Sequence, residues 1–325
     1  MAEVYANAWI TIAASYARDA SQGLFDSCHR PSLELLKLPS YNSFGHLDGS
    51  LYVGGVHEQN GSRWGVERLE PDQEILSTRA WATQEMLLSR RVVYFTRRFI
   101  FWSCRQVSVD ETGVEYYPKC SPRQISFRWC NVVEEFSKRQ LTYATDKFKA
   151  LEGIESHWAA KLNDECIFGH WKKDLPSELT WTTSRANRRS NPLDIPTWSW
   201  ASSMSPVDWG FRPQHLTGRC TAEFSPGQPS SQLFLRGHFK VLQHELHHSG
   251  VNFIDDVIEE EMYAMLIATT NRDYSTTWVY DIVLLLRCIS QSEKTYERVG
   301  LAIYQVDTEE AKSFYNAPLI QIILL

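Results

Sequence analysis

The stretch Ser77-Thr-Arg-Ala-Trp-Ala-Thr-Gln-Glu85-Met-Leu-Leu-Ser-Arg-Arg-Val-Val-Tyr-Phe-Thr-Arg-Arg-Phe-Ile-Phe-Trp-Ser-Cys104 carries most of what this chain says about its fold. Its first part is rich in helix formers: Ala80, Ala82, Gln84, Glu85, Met86 and Leu87 predict a helix over 78–89. Its second part runs apolar on both sides of a polar Thr96-Arg-Arg98 turn, which predicts a β-hairpin from 91–96 and 99–103. On a wheel of about 100° per residue, Ala80, Trp81, Leu87 and Leu88 define an apolar arc. Gln84 falls in the middle of that arc, Glu85 on its edge beside Trp81, and Arg79 on the opposite side. A buried amide is costly unless it is bonded. Gln84 and Glu85 therefore either tie the helix to neighbouring backbone and an arginine, or line a pocket at the edge of the fold.

Three blocks in this order and spacing resemble the fungal heterokaryon-incompatibility (HET) domain. The central one matches its Arg-Ala-Trp-x-x-Gln-Glu-x-x-Leu-Ser-x-Arg pattern through Arg79, Trp81, Gln84, Glu85 and Leu88, with Trp102 and Cys104 in the place of its Trp-x-Cys. Upstream, Val4-Tyr-Ala-Asn-Ala-Trp-Ile-Thr-Ile-Ala-Ala-Ser15, running to Gly23-Leu-Phe25, is similar to the preceding block. Downstream, Pro196-Thr-Trp-Ser-Trp-Ala-Ser202 resembles the Trp-Ser-Trp-Ala-Ser signature, with Trp198 and Trp200 as its key residues. Between them, Leu141-Thr142, Asp146-Lys147, Ala150-Leu151 and Gly153-Ile154 follow the family's pattern. The family's opening blocks, a Ser-Tyr-x-Trp-Gly strand and an Asp-x-x-Cys-Ile-x-Gln segment, have no counterpart, so the expectation is a HET protein truncated at its N-terminus.

The resemblance implies an α+β chain: a partial, distantly Toll/interleukin-receptor (TIR)-like HET domain over 1–203, with a loop-rich insert at 26–75. A linker at 204–216 and an antiparallel β-rich module over 217–325 follow. It implies a fungal non-self recognition protein that promotes programmed cell death and acts on a protein partner. Because TIR relatives cleave NAD through a glutamate, it offers Glu85 as the catalytic candidate, although the family's upstream acidic residues are missing. NAD enters by that analogy alone, and fold analogy is a weak warrant for chemistry. An inert remnant is the third reading.

The rest of the chain bounds these readings. Net charge is −6 with no Lys/Arg-rich block, so no nucleic-acid footprint is expected. Seven cysteines without a Cys-x-x-Cys fit reduced thiols in the cytoplasm. The apolar stretch at 8–17 lacks the positive flank of a signal peptide, and the one at 317–325 is too short to span a bilayer. Twelve tryptophans imply an aromatic core or aromatic-lined clefts. Residues 3–8 should end a helix and 10–14 form a short buried strand, itself deprived of a neighbour on one side. Trp129, Val132, Val133 and Phe136 mark an amphipathic helix starting at 126. Further helices are expected over 146–162, with Phe148, Leu151, Glu155 and Trp158 on one side, and over 166–174. Strand-like runs cover 233–242, 278–286, 298–304 and 319–325. His244-Glu-Leu-His-His248 spells a zincin string, but it sits between a strand and a Ser-Gly turn, so no metal is expected. Cys104 reads as a buried core thiol.

Overall fold

The computed structural model describes residues 2–24, 36–53, 71–97, 99–104, 106–111, 129–183, 195–224, 231–242, 251–253, 261–270 and 278–325. Helix and sheet are mixed in an α+β chain. It divides into two compact units, Met1–Gln124 and Ile125–Leu325. The division falls well before the linker expected at 204–216, and the reason lies in the core. Leu175, Leu179 and Trp198 belong to one apolar cluster with Leu233, Leu235, Met265 and Leu284. The tryptophan signature and the β-rich module therefore share a core and form one unit.

In the first unit, helix α1 (Ala2–Asn7) leads into β1 (Thr11–Ala13). A hairpin of β2 (Leu36–Tyr41) and β3 (Leu47–Val53) occupies the described part of the insert. Helix α2 (Trp81–Leu88) follows a 3-10 turn at Ile75–Thr78. Then come β4 (Arg91–Phe95), β5 (Ile100–Cys104) and β6 (Ser108–Asp110). The sheet order is β1-β4-β5-β6, with β1 parallel to β4 and the remaining pairs antiparallel. The expected hairpin is thus present, and so is the short strand, but that strand is not buried. Ala13 alone in β1 is buried, while Ile12 is 58% exposed. Its place at the sheet edge is the cause: among the described residues β1 pairs with β4 alone, and a three-residue edge strand has little cover.

The first described element of the second unit is α3 (Trp129–Ser137), whose Trp129, Val132, Val133 and Phe136 are all buried, as their spacing predicts. The helix expected over 146–162 is shorter: a 3-10 turn at Ala144–Asp146, then α4 (Glu152–Leu162), closed by Asn163 at φ 49°. Over 166–174 there is no α-helix, only a 3-10 turn at Lys172–Asp174. Cys166–Ile167 and His170–Trp171 pair as a minimal hairpin (β7, β8) around Phe168 at φ 47° and Gly169 at φ 82°. Positive φ at both central residues is what a tight two-residue β-turn needs, and it stops a helix.

Next come α5 (Leu175–Glu178) and the short strands β9 (Thr182–Thr183), β10 (Val207–Asp208), β11 (Leu216–Gly218) and β12 (Thr221–Glu223). The large sheet is built on β13 (Leu233–Leu242), β15 (Met262–Thr270), β16 (Tyr280–Ser290), β17 (Thr295–Gln305) and β18 (Leu319–Leu324), with β14 (Val251–Phe253) on β17. The first half of β13 pairs with β18 and its second half with β15. Since β15–β16, β16–β17 and β17–β18 also pair, the five strands close into a ring. All these ladders are antiparallel except β17–β18. Helix α6 (Glu309–Tyr315), capped by Thr308, packs Ala311 and Phe314 against a second apolar cluster of Leu266, Val283, Leu285 and Val299. Both faces of β15 are buried in consequence, and each fully buried Leu or Val there contributes about 1.5–3 kcal/mol.

Candidate functional site

The motif helix α2 rests on a short structured entry. Leu76 N donates to Ser15 O at 2.9 Å and Ser77 Oγ to Pro71 O at 2.6 Å. At the other end Ser89 Oγ donates to Glu85 O at 2.6 Å and lies 2.7 Å from Thr11 Oγ1, which fastens the helix to β1. Gln84 is buried, at 4% exposure. Trp81 and Leu88 are only half-buried, so the expected arc is corrected. The enclosed residues are Ala82, Thr83 and Gln84, which are consecutive. The first turn is therefore covered on most of its circumference, and Glu85 to Leu88 emerge half-exposed.

Glu85 points at α1. The Tyr5 hydroxyl hydrogen-bonds its carboxylate, and Arg79 supplies a nearby positive charge. Burial pushes the Glu85 carboxyl above its ordinary range, and the Tyr5 bond and the Arg79 charge offset part of that rise. Burial, the Glu85 charge and the shared bond all raise Tyr5. The result is a half-buried carboxyl with increased proton affinity, flanked by a phenol and a guanidinium. Such a group can stabilise a developing positive charge or hold a proton. Tyr5 was not singled out from sequence as its partner. The signal was present, since Val4-Tyr-Ala-Asn belongs to the upstream block, but nothing in spacing says that α1 meets α2.

Trp102 and Cys104 lie together on one face of β5, while Phe101 and Ser103 are buried on the other. Cys104 is therefore half-exposed, not the core thiol expected, because strand alternation puts it on the less covered face.

Trp198 and Trp200 belong to the second unit and are core residues at 0% and 1% exposure. Trp198 Nε1 donates to Ser231 O at 3.0 Å, and Trp200 Nε1 to Gly169 O at 3.0 Å. Trp181 Nε1 donates to Trp198 O at 2.9 Å. Ser199 caps the 3-10 turn Trp200–Ser202 through Ala201 N, and its hydroxyl donates to Phe168 O at 2.8 Å. Lys147 Nζ donates to Ala201 O and Ser203 O at 2.9 and 2.6 Å, and burial lowers its amine to about 8. The Trp-Ser-Trp-Ala-Ser segment is thus a hydrogen-bonded plug of the core, offering no surface for chemistry.

Beside it lies a buried group that sequence reasoning passed over. His170 Nδ1 is 3.3 Å from Glu178 Oε2, which also accepts from Trp171 N at 2.8 Å. Burial lowers His170 to about 3, aided by the Arg298 charge, and pushes Glu178 up to about 8. The contact has the geometry of an ion pair, but burial disfavours the charged form of both partners. Trp200 N donates to His170 Nε2 at 3.4 Å. Arg298, 0% exposed, stacks 3.8 Å from the Trp181 ring and donates to Trp181 O. These groups are sealed in, and their role is to fix the core.

Among the described residues no cluster of three His, Cys, Asp or Glu could hold a metal, and no helix is long and apolar enough to cross a membrane. The zincin string His244–His248 lies outside the described residues. Compared with protein-family models, with curated proteins and with solved structures, this chain finds no match, so the family reading rests on the motif residues themselves.

Proposed function

We propose that this chain is a heterokaryon-incompatibility protein of fungal type, acting in the cytoplasm through a protein partner to promote programmed cell death. The observation that carries the reading is the order and spacing of three blocks around Tyr5, around Arg79–Cys104 and around Trp198–Ser202. The test is inducible expression in a fungal host, scored for viability alongside soluble protein level. Killing by the intact chain, lost in an Arg79→Ala/Glu85→Ala double variant of equal abundance, is the expected result. Normal growth with abundant soluble chain removes the reading.

A second reading is favoured by Glu85: a NAD-cleaving activity of TIR-like type. Cleavage of the nicotinamide–ribose bond develops positive charge on the ribose, and a carboxylate held in a partly desolvated place stabilises it. Glu85, with Tyr5 and Arg79 beside it, has that character. Incubation of the purified chain with NAD separates the two readings. Consumption abolished by Glu85→Gln supports cleavage, and killing without NAD loss leaves signalling through a partner.

A further inference from the structure

The first unit carries a second reactive feature, separate from Glu85. Antiparallel pairing of β4 with β5 sets Arg91 directly opposite Cys104, so both side chains rise from the same face of the hairpin. Arg90 precedes β4 and Gln106 follows β5. Together Arg90, Arg91, Cys104 and Gln106 line an open cleft of about 510 Å³. Both arginines are exposed, and among the described residues no carboxylate pairs with either. Arg91 spends one N–H on Trp9 O at 3.4 Å, with its guanidinium 6.0 Å over the Trp9 ring. On the next strand Asp110 is set opposite Phe101, on the buried face, so it does not neutralise the cleft.

The thiol matches this setting. Burial by itself would raise Cys104, but hydrogen bonds from the Gln106 and Val107 backbone, one from Trp102, and the Arg91 charge more than reverse it. Gln106 N lies 3.5 Å from the sulfur. Burial instead raises Cys130, Cys166 and Cys220, the last to about 12. A thiolate that is accessible and sits beside cations is the form that exchanges with disulfides.

We propose that this cleft takes up a small disulfide bearing carboxylates and that Cys104 exchanges with it, making Cys104 a reversible modification site. The guanidinium groups of Arg90 and Arg91 hold the carboxylates, the pairing their planar forks suit best. The Cys104 thiolate attacks one sulfur of the disulfide. A new Sγ–S bond forms as the old S–S bond breaks. The departing half leaves as a thiolate with the electron pair and takes a proton from water. Cys104 is oxidised and one half of the disulfide is reduced, one for one.

The experiment uses the full chain and two probes: dithiobis(nitrobenzoate), which carries two carboxylates, and dipyridyl disulfide, which is uncharged. Modification at Cys104 is timed by peptide mass spectrometry, and the ratio of the two rates is compared with that of free cysteine. The same thiolate attacks both probes, so its abundance cancels in the ratio. The ratio at Cys104 should exceed that of free cysteine by about tenfold at low salt and fall toward it at high salt. An Arg90→Gln/Arg91→Gln variant should show the free-cysteine ratio, and Cys104→Ser should remove the fast phase. A ratio in the native chain no higher than that of free cysteine overturns the proposal, and needs no variant to fold. So does a high ratio that the double variant or salt leaves unchanged.

Discussion

The Tyr5 hydroxyl bonds the Glu85 carboxylate, joining the N-terminal helix to the helix of the central motif. That bond favours the charged form of Glu85, and burial opposes it more strongly. Tyr5→Phe removes the favourable part, so the Glu85 pKa should climb further. A carboxyl whose folded pKa is raised stabilises the fold at pH below its unfolded value, and that stability is lost as pH rises through the folded one. Glu85→Gln should therefore raise the melting temperature at neutral pH relative to pH 4, and Tyr5→Phe should lower it. Calorimetric scans of the three chains at both pH values check this, and equal shifts at the two pH values would contradict the assignment.

Gly169 holds φ 82° in the tight turn after Phe168, and a Cβ there would run into the Trp200 indole. Gly169→Ala therefore combines an unfavourable backbone conformation with overpacking against a fixed core side chain. A loss of about 2–5 kcal/mol is expected in denaturant unfolding. Trp200→Ala should cost about 3–5 kcal/mol through the cavity it leaves. If both substitutions leave the unfolding midpoint in place, the tryptophan signature is not the core plug described above.

Ile12 pairs in register with Val93 on the edge strand β1, yet its side chain faces solvent. Ile10, two residues before it, is 46% exposed, and Trp9 is 84% exposed. Among the described residues β1 pairs with β4 alone; an apolar sheet edge invites pairing with another chain, and a lysine there is a common natural safeguard. Ile12→Lys should raise soluble yield and lower light scattering on concentration. Its effect on the unfolding midpoint should stay within about 0.5 kcal/mol, as for other exposed positions.

Local patterns made much of this fold legible. The α2 helix and the β4–β5 hairpin follow from helix formers and from apolar runs around a polar turn. Helix α3 follows from four apolar residues at helical spacing, all of them buried. Strand β15 is not legible in the sequence. Met262-Tyr-Ala-Met-Leu-Ile-Ala-Thr-Thr270 is covered on both faces, so it has no alternation to read, and Ala, Met and Leu favour helix as much as strand. The helix expected over 166–174 is broken by the Phe168-Gly169 turn, which leaves only a 3-10 turn at Lys172–Asp174. At the site, the motif residues were readable as motifs but their roles were not. Trp198 and Trp200 look identical in sequence whether they line a cleft or plug a core. The Tyr5–Glu85 contact and the Arg91–Cys104 pairing both depend on which elements meet, which local pattern does not encode.

The buried pair His170–Glu178 makes a prediction with two opposing limbs. Glu178 rises from 4.5 to about 8 on folding, so its contribution is present below about pH 4.5 and is lost as pH climbs through 8. His170 falls from 6.5 to about 3, so its contribution is present above about pH 6.5 and is lost as pH drops toward 3. Between 4.5 and 6.5 the two slopes offset each other. Stability from this pair should therefore peak there, with an acid limb from the histidine and an alkaline limb from the glutamate. Glu178→Gln mimics the protonated acid and keeps an oxygen to accept from Trp171 N and His170 Nδ1. It should flatten the alkaline limb and leave the acid limb in place. Urea midpoints of both chains at about pH 4, 5.5 and 8.5 decide the matter. A native chain equally stable at 5.5 and 8.5, with the variant no different, would mean that Glu178 is ionised in the core. The contact to His170 would then be a hydrogen bond from a neutral imidazole to a carboxylate, since an imidazole that kept its proton would itself lose stability as pH rises above 6.5.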